Sequence, residues 1–302
     1  MDFVEKIFKI DKFEKLGEFL GNQEKSINLK NVAGSLFSFV VAYVYRGIKN
    51  RVIVLVQDEE FGRKVADDLN FILGEGKVFE FIPDEDMLAD DIDVLRVKFA
   101  HEYARADKVI ILSIKQIDER IPLSKELNNH SFVLSVGEKI NYDAFISYLV
   151  KEGFERKKYV ESRGDYSVRG SIIDVFGFVG EFPIRIEFFD DEVVSIREFD
   201  IFTQRSLKNL SRTVIVPKLT NLNFETVEVS RLLNDSVCIV EDKNLVIQAV
   251  DEDIFEGVEF KKFINILKLE AGDLNGNVVN FSSRAQPFFN SSITFFSEEV
   301  AK

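Results

Sequence analysis

Val52-Ile53-Val54-Leu55-Val56 is an unbroken apolar run of strand length, and the residues that follow it decide the fold. Glu59–Leu73 is amphipathic with a helical period and stops at Gly74. Residues 78–82 read as a second strand, 93–106 as a second helix, and Val109–Ser113 as a third strand. Short apolar strands without alternation are covered on both faces. Strand, helix, strand, helix, strand is the order of a parallel sheet with crossover helices. On the N-terminal side, 35–48 is apolar enough for a buried helix. Residues 2–20 place Phe3, Ile7, Phe8, Ile10, Phe13, Leu16 and Phe19 near helical spacing, which predicts one helix ended by Gly21-Asn22.

The pattern changes after Pro122. Residues 131–136 read as a strand and Tyr142–Lys151 as a helix. Strands at 171–176, 184–189 and 193–199 then follow, joined by Gly177-Phe178-Val179-Gly180 and Asp190-Asp191-Glu192, as in an antiparallel meander. Beyond Pro217, 231–233 and 243–250 read as helical and Val237–Glu241 as a strand that completes the first sheet. The expected fold is α/β. A parallel-sheet domain with degenerate RecA/P-loop-like character (1–127 and 213–302) is interrupted by an inserted, smaller α+β domain with antiparallel strands (128–212).

Composition narrows the function. The 302 residues are 46% hydrophobic, enough for packed cores and too many for a disordered chain. No stretch approaches 18 apolar residues, and the N-terminus lacks a basic segment followed by an apolar run; a cytoplasmic location is expected. A net charge of −13 disfavours tight gripping of a phosphate backbone, whose affinity comes from Lys and Arg. Acid is concentrated at 225–259, read as a solvated face. The single cysteine, Cys238, lies in a buried-strand pattern and is expected to be an inert core thiol.

Motifs for chemistry are few. A phosphate-binding loop needs G-x-x-x-x-G-K-[ST], so that backbone amides wrap the phosphates, Lys neutralises them and the hydroxyl holds magnesium. In Leu29–Leu36, Gly34 fits the second glycine, but Leu29, Ser35 and Leu36 replace the first glycine, the Lys and the hydroxyl. Asp84-Glu85-Asp86 after an apolar run resembles an ATPase carboxylate pair. Without a phosphate loop it reads as a turn into a helix, with Asp90, Asp91 and Asp93 at that helix's positive end. His101 has no Cys, Ser or His partner one helical turn away, and His130 is placed in an Asn128-Asn129-His130 loop. No catalytic residue, metal site or cofactor site is expected.

In Ile184-Arg185-Ile186-Glu187-Phe188-Phe189, alternation puts Ile184, Ile186 and Phe188 on one face and Arg185, Glu187 and Phe189 on the other. An Arg beside a Phe on a solvent face is a hot-spot composition; if both faces are covered, Phe189 is simply core. Alternation leaves both open. The wider segment carries Arg169-Gly170-Ser171-Ile172-Ile173-Asp174-Val175-Phe176, then Pro183-Ile184-Arg185-Ile186-Glu187-Phe188-Phe189-Asp190, then Gln204-Arg205-Ser206-Leu207. In these motifs it closely resembles the bacterial transcription-repair coupling factors (Mfd), and more loosely UvrB.

The resemblance extends more weakly over about 30–215, where it implies an N-terminal UvrB-like module whose loop has lost its ATPase signature. It implies docking of UvrA through Arg169, Arg185 and Phe189, in a parent protein that acts on lesion-stalled RNA polymerase with an ATP- and magnesium-driven DNA translocase. Polymerase and DNA would be contacted through other parts of that parent, against which this module would also pack and hold it inactive. The rival readings are a nucleotide-binding and a DNA-binding UvrB-like module. The missing Lys speaks against the first. Acidity, and the lack of a long Tyr-rich insertion before Val52, speak against the second.

Overall fold

The computed structural model describes residues 3–48, 50–84, 86–105, 107–217, 225–243, 258–267 and 277–283. In chain order the first elements are α1 (Phe3–Ile7), α2 (Asp11–Gly21), β1 (Ser26–Lys30), α3 (Leu36–Gly47), β2 (Val52–Val56), α4 (Glu59–Leu73), β3 (Val78–Phe81), α5 (Ala89–Tyr103) and β4 (Val109–Ser113). Then come β5 (Arg120–Pro122), α6 (Ser124–His130), β6 (Phe132–Ser135), α7 (Tyr142–Lys151), β7 (Glu155–Arg156), β8 (Asp165–Arg169), β9 (Ile172–Val175), β10 (Ile184–Phe189), β11 (Glu192–Phe199) and β12 (Ser206–Leu210). The chain continues through β13 (Arg212–Ile215), β14 (Thr226–Glu228), α8 (Val229–Leu232), β15 (Val237–Glu241), β16 (Lys262–Leu267) and β17 (Val278–Asn280).

These elements form two compact units. The first takes Met1–Glu80, Asp107–Lys115 and Leu233–Lys302; the second takes Phe81–Ala106 and Gln116–Leu232. The second unit is wider than the 128–212 expected from sequence. Helix α5 packs on β5 and α6, while β13 pairs with β6 and β14 with β5.

The first unit is built on a seven-stranded sheet in the order β17-β1-β16-β15-β2-β4-β3. Pairing is parallel from β17 through β4. Every residue of β2, β4 and β15 is buried, the reason these strands read as continuous apolar runs. The returning strand β15 lies beside β2, with Ile239 opposite Val54, so the C-terminal segment completes the first sheet as expected. Helix α4 starts where the Asp58 carboxylate accepts the Phe61 amide at 3.1 Å and ends at Gly74, whose φ of +89° suits a residue without Cβ. Lys262, 7% exposed, donates from Nζ to the carbonyls of Phe19, Asn22 and Glu24 at 2.9, 2.7 and 2.6 Å, tying the end of α2 to β16.

Several expectations need correction. The single helix at 2–20 is two, broken at residues 8–10. Phe8 turns edge-on to Phe13 and Tyr43, so the apolar period runs through the break because both pieces pack against α3. Helix α5 begins at Ala89 rather than 93. His130 ends helix α6, which buried Leu127 anchors, instead of sitting in a loop. Strands β1, β5, β7, β12, β13, β14, β16 and β17 went unread. The helix expected at 243–250 lies, after its first residue, outside the described residues.

The second unit holds a six-stranded sheet in the order β12-β11-β10-β9-β8-β7, antiparallel except for the β7–β8 pair. One face is covered by α7. Its Phe145 and Leu149 join Ile173, Val175, Ile186, Phe188, Val193 and Ile196 in one core. Helix α7 is started by Asn141, whose side-chain oxygen accepts the Ala144 amide at 2.9 Å. The overall class is therefore α/β, with a parallel sheet and separate antiparallel sheets.

Candidate functional site

The other face of the six-stranded sheet carries the site. Along β10, Ile184, Ile186 and Phe188 are buried against α7, whereas Arg185 and Glu187 are half-buried and Phe189 is 72% exposed. Alternation therefore sorted the strand correctly, and the open reading resolves in favour of a solvent-facing Phe189. The strand ends in a two-residue turn, where Asp190 takes φ +52°, a conformation that Asp tolerates. Asp191 fastens this turn to the start of α7 by accepting the Tyr142 amide at 3.0 Å. Phe189 thus sits on a held hairpin.

Register brings the two arginines together. Asp174 of β9 lies opposite Arg185 of β10, and Arg169 sits on neighbouring β8. The Asp174 side chain is 3% exposed, and its charge is matched twice. Arg185 donates from Nε and Nη2 to its two oxygens at 2.7 and 2.9 Å, and Arg169 donates from Nη2 to one of them. Hydrogen bonding to Asp174 raises the Arg185 pKa further above its ordinary value. A forked pair of this kind fixes the guanidinium plane as well as its charge. Arg185 also lies over the Phe199 ring at 4.3 Å and reaches the Gln204 carbonyl and side-chain oxygens at 3.3 and 3.1 Å. Its side chain is only 14% exposed, against 41% for Arg169. Alongside, Arg197 of β11, opposite Arg185, bonds Glu187 at 3.0 Å.

All three residues singled out from sequence therefore belong to one sheet. Arg169 and Arg185 share one carboxylate, and Phe189 stands two positions beyond Glu187 on the Arg185 strand. Sequence reading missed Asp174, Phe199 and Gln204, although each lies in or beside the three motifs quoted above. It also missed Phe202, which is 92% exposed in the turn between β11 and β12.

The remaining candidates are structurally engaged. Leu29 is in β1 and Leu36 opens α3, so the residues in between do connect a strand to a helix. In that loop the Ala33 amide donates to the Ser283 hydroxyl at 2.9 Å, and the amides of Leu36 and Phe37 bond back to Ala33 and Gly34. Asp93 and Glu119 are both held by Arg96, at 3.0 and 2.6 Å. His101 faces Glu102 at 3.4 Å, and His130 faces buried Glu152 at 2.9 Å. Cys238 is fully buried, which pushes its thiol pKa well up and agrees with a core role. Among the described residues no group of three or more His, Cys, Asp or Glu could hold a metal ion, and no helix is long and apolar enough to cross a membrane.

Residues 132–220 match the family model described as the UvrB interaction domain, which takes in the whole of this face. A transcription-repair-coupling factor of Staphylococcus epidermidis (strain ATCC 35984) is 27% identical over 213 residues, covering 68% of this chain and 18% of that protein. That of Staphylococcus haemolyticus is 26% identical over 212 residues, with the same shares of each chain. That of Staphylococcus aureus strain MRSA252 is 49% identical over 87 residues, 29% of this chain and 7% of that protein. The chain thus matches less than a fifth of the length of these curated relatives.

Proposed function

We propose that this chain, a transcription-repair-coupling-factor-like sequence carrying a UvrB interaction domain, docks UvrA on the open face of its antiparallel sheet through Arg169, Arg185 and Phe189. The observation that carries this reading is the pairing of two arginines on one buried carboxylate beside an exposed Phe on a fastened hairpin, all inside the matched residues. The guanidiniums, committed in part to Asp174 and Gln204, offer their remaining donors to carboxylates or carbonyls, and Phe189 fills an apolar pocket of the partner. Asp174 and Gln204 orient those donors in advance, which lowers the entropy lost on binding.

The module is read as non-catalytic and as cofactor-free. The engaged amides of Ala33, Leu36 and Phe37 support this, as does the missing Lys, and we take the parallel sheet to be a P-loop-like scaffold that has lost its nucleotide chemistry. In this reading UvrA is brought to RNA polymerase stalled at a lesion. Polymerase contact, DNA contact and ATP- and magnesium-driven translocation belong to other parts of a longer parent, and the module packs against those parts to hold them inactive. Amide hydrogen exchange with UvrA from the same organism tests the docking. Protection is expected on 165–175 and 184–199. Protection confined to the parallel-sheet unit would contradict the assignment.

A further inference from the structure

Single exposed apolar residues are ordinary on a protein surface, so exposure alone does not make Phe202 significant. Its setting does. Phe202 is 92% exposed, yet the turn presenting it is held at every residue around it. Asp200 accepts both the amide and the hydroxyl of Thr203, at 2.7 and 2.8 Å, and these bonds hold its carboxyl below the usual range. The Gln204 amide donates to the Asp200 carbonyl at 2.8 Å, and the Asp200 amide to that of Arg205 at 2.9 Å. Gln204 takes φ +59° and returns its side-chain amide to the Ile201 carbonyl at 2.7 Å. Ile201 in turn packs on the small cluster of Val160, Phe176 and Phe199.

This turn is continuous with the docking face through one residue. Arg185 lies over Phe199 and bonds both oxygens of Gln204, so the same guanidinium that meets Asp174 also holds the turn from below. A large ring held in water by a stiff turn loses little conformational entropy when covered, which is the property of an interface anchor. We propose that Phe202 is a further UvrA contact, and that Arg185 acts partly as a positioning residue that sets the turn on which Phe202 stands. The inference rests on the docking reading above and extends its footprint across the sheet, from Phe189 at one end of the β10–β11 pair to Phe202 at the other.

Titration of UvrA with the whole chain carrying Phe202→Ala, Phe202→Leu or Phe189→Ala tests it. Phe202→Ala is expected to weaken binding about tenfold or more with an unchanged melting temperature. Phe202→Leu should restore most of the loss, and Gln204→Gly, which keeps the backbone conformation but removes the side-chain bonds to Arg185 and to the Ile201 carbonyl, should weaken binding to a lesser degree. Native affinity in Phe202→Ala beside clear loss in Phe189→Ala would overturn this inference and leave the docking reading standing. No binding by the native chain would overturn both.

Discussion

At the residue scale the informative group is Asp174. It is buried, and it neutralises Arg185 and Arg169 together. Removing one partner of such a cluster leaves an uncompensated, largely buried charge. Asp174→Ala is therefore expected to destabilise the chain by about 3 kcal/mol in urea denaturation. Phe189→Ala removes a side chain that is mostly in water; stability should stay within about 0.5 kcal/mol while UvrA affinity falls by about 2 kcal/mol. The difference matters for choosing probes. Arg185→Glu would set a second carboxylate against Asp174, so its loss of binding would mix misfolding with a lost contact, whereas Phe189→Ala isolates the contact. The face on which Arg185 and Phe189 stand was legible in sequence, because a period of two sorts a strand into faces wherever one face is apolar. Asp174 was not legible as their partner. Its link to Arg185 depends on the register between β9 and β10, which no local pattern in either strand encodes.

At the element scale the site depends on how α7 and the hairpin turn are joined. Asn141 caps α7, and Asp191 of the β10–β11 turn accepts the amide of its first residue. Asn141→Ala is expected to cost about 1 kcal/mol, read by thermal or urea unfolding, with the larger consequence that the Phe189 hairpin loosens. Tyr142 adds a second fastening. Its hydroxyl donates to the Gly170 carbonyl at 2.6 Å beside Arg169, and its ring meets Phe188 edge-on at 5.2 Å. The longer helices and the central strands β2, β4 and β15 were legible because burial on one stripe or on both faces leaves a pattern, whereas the equally central β16 and the short α6 were not read. The short strands β1 and β13 were not, since their residues are of mixed burial and their pairing partners lie far away in sequence. The break between α1 and α2 escaped for a related reason. No Gly or Pro marks it; a turn closed by the Lys9 and Ile10 amides on the carbonyls of Lys6 and Ile7 carries Phe8 against Phe13 and Tyr43.

At the scale of the whole molecule, charge and topology point the same way. A net charge of −13 opposes contact with a polyanion, and retarded migration of duplex DNA is not expected at micromolar protein and physiological salt. That the C-terminal segment completes the first sheet was legible from one run, Val237–Glu241, since a fully buried strand needs a place inside a sheet, but its place beside β2 and the order of the other strands were not, because pairing partners far apart in sequence leave no local pattern. The boundaries of the second unit were harder to read, because α5 and the 116–127 segment are local in sequence to the first sheet but pack within the second unit.

Calorimetric titration of the native chain and of Phe189→Ala against UvrA from the same organism is the most direct measurement. Saturable binding by the native chain, weakened roughly thirtyfold in the variant at equal thermal stability, is the predicted result. Equal affinity of the two, or no binding by a folded native chain, would contradict docking on this face.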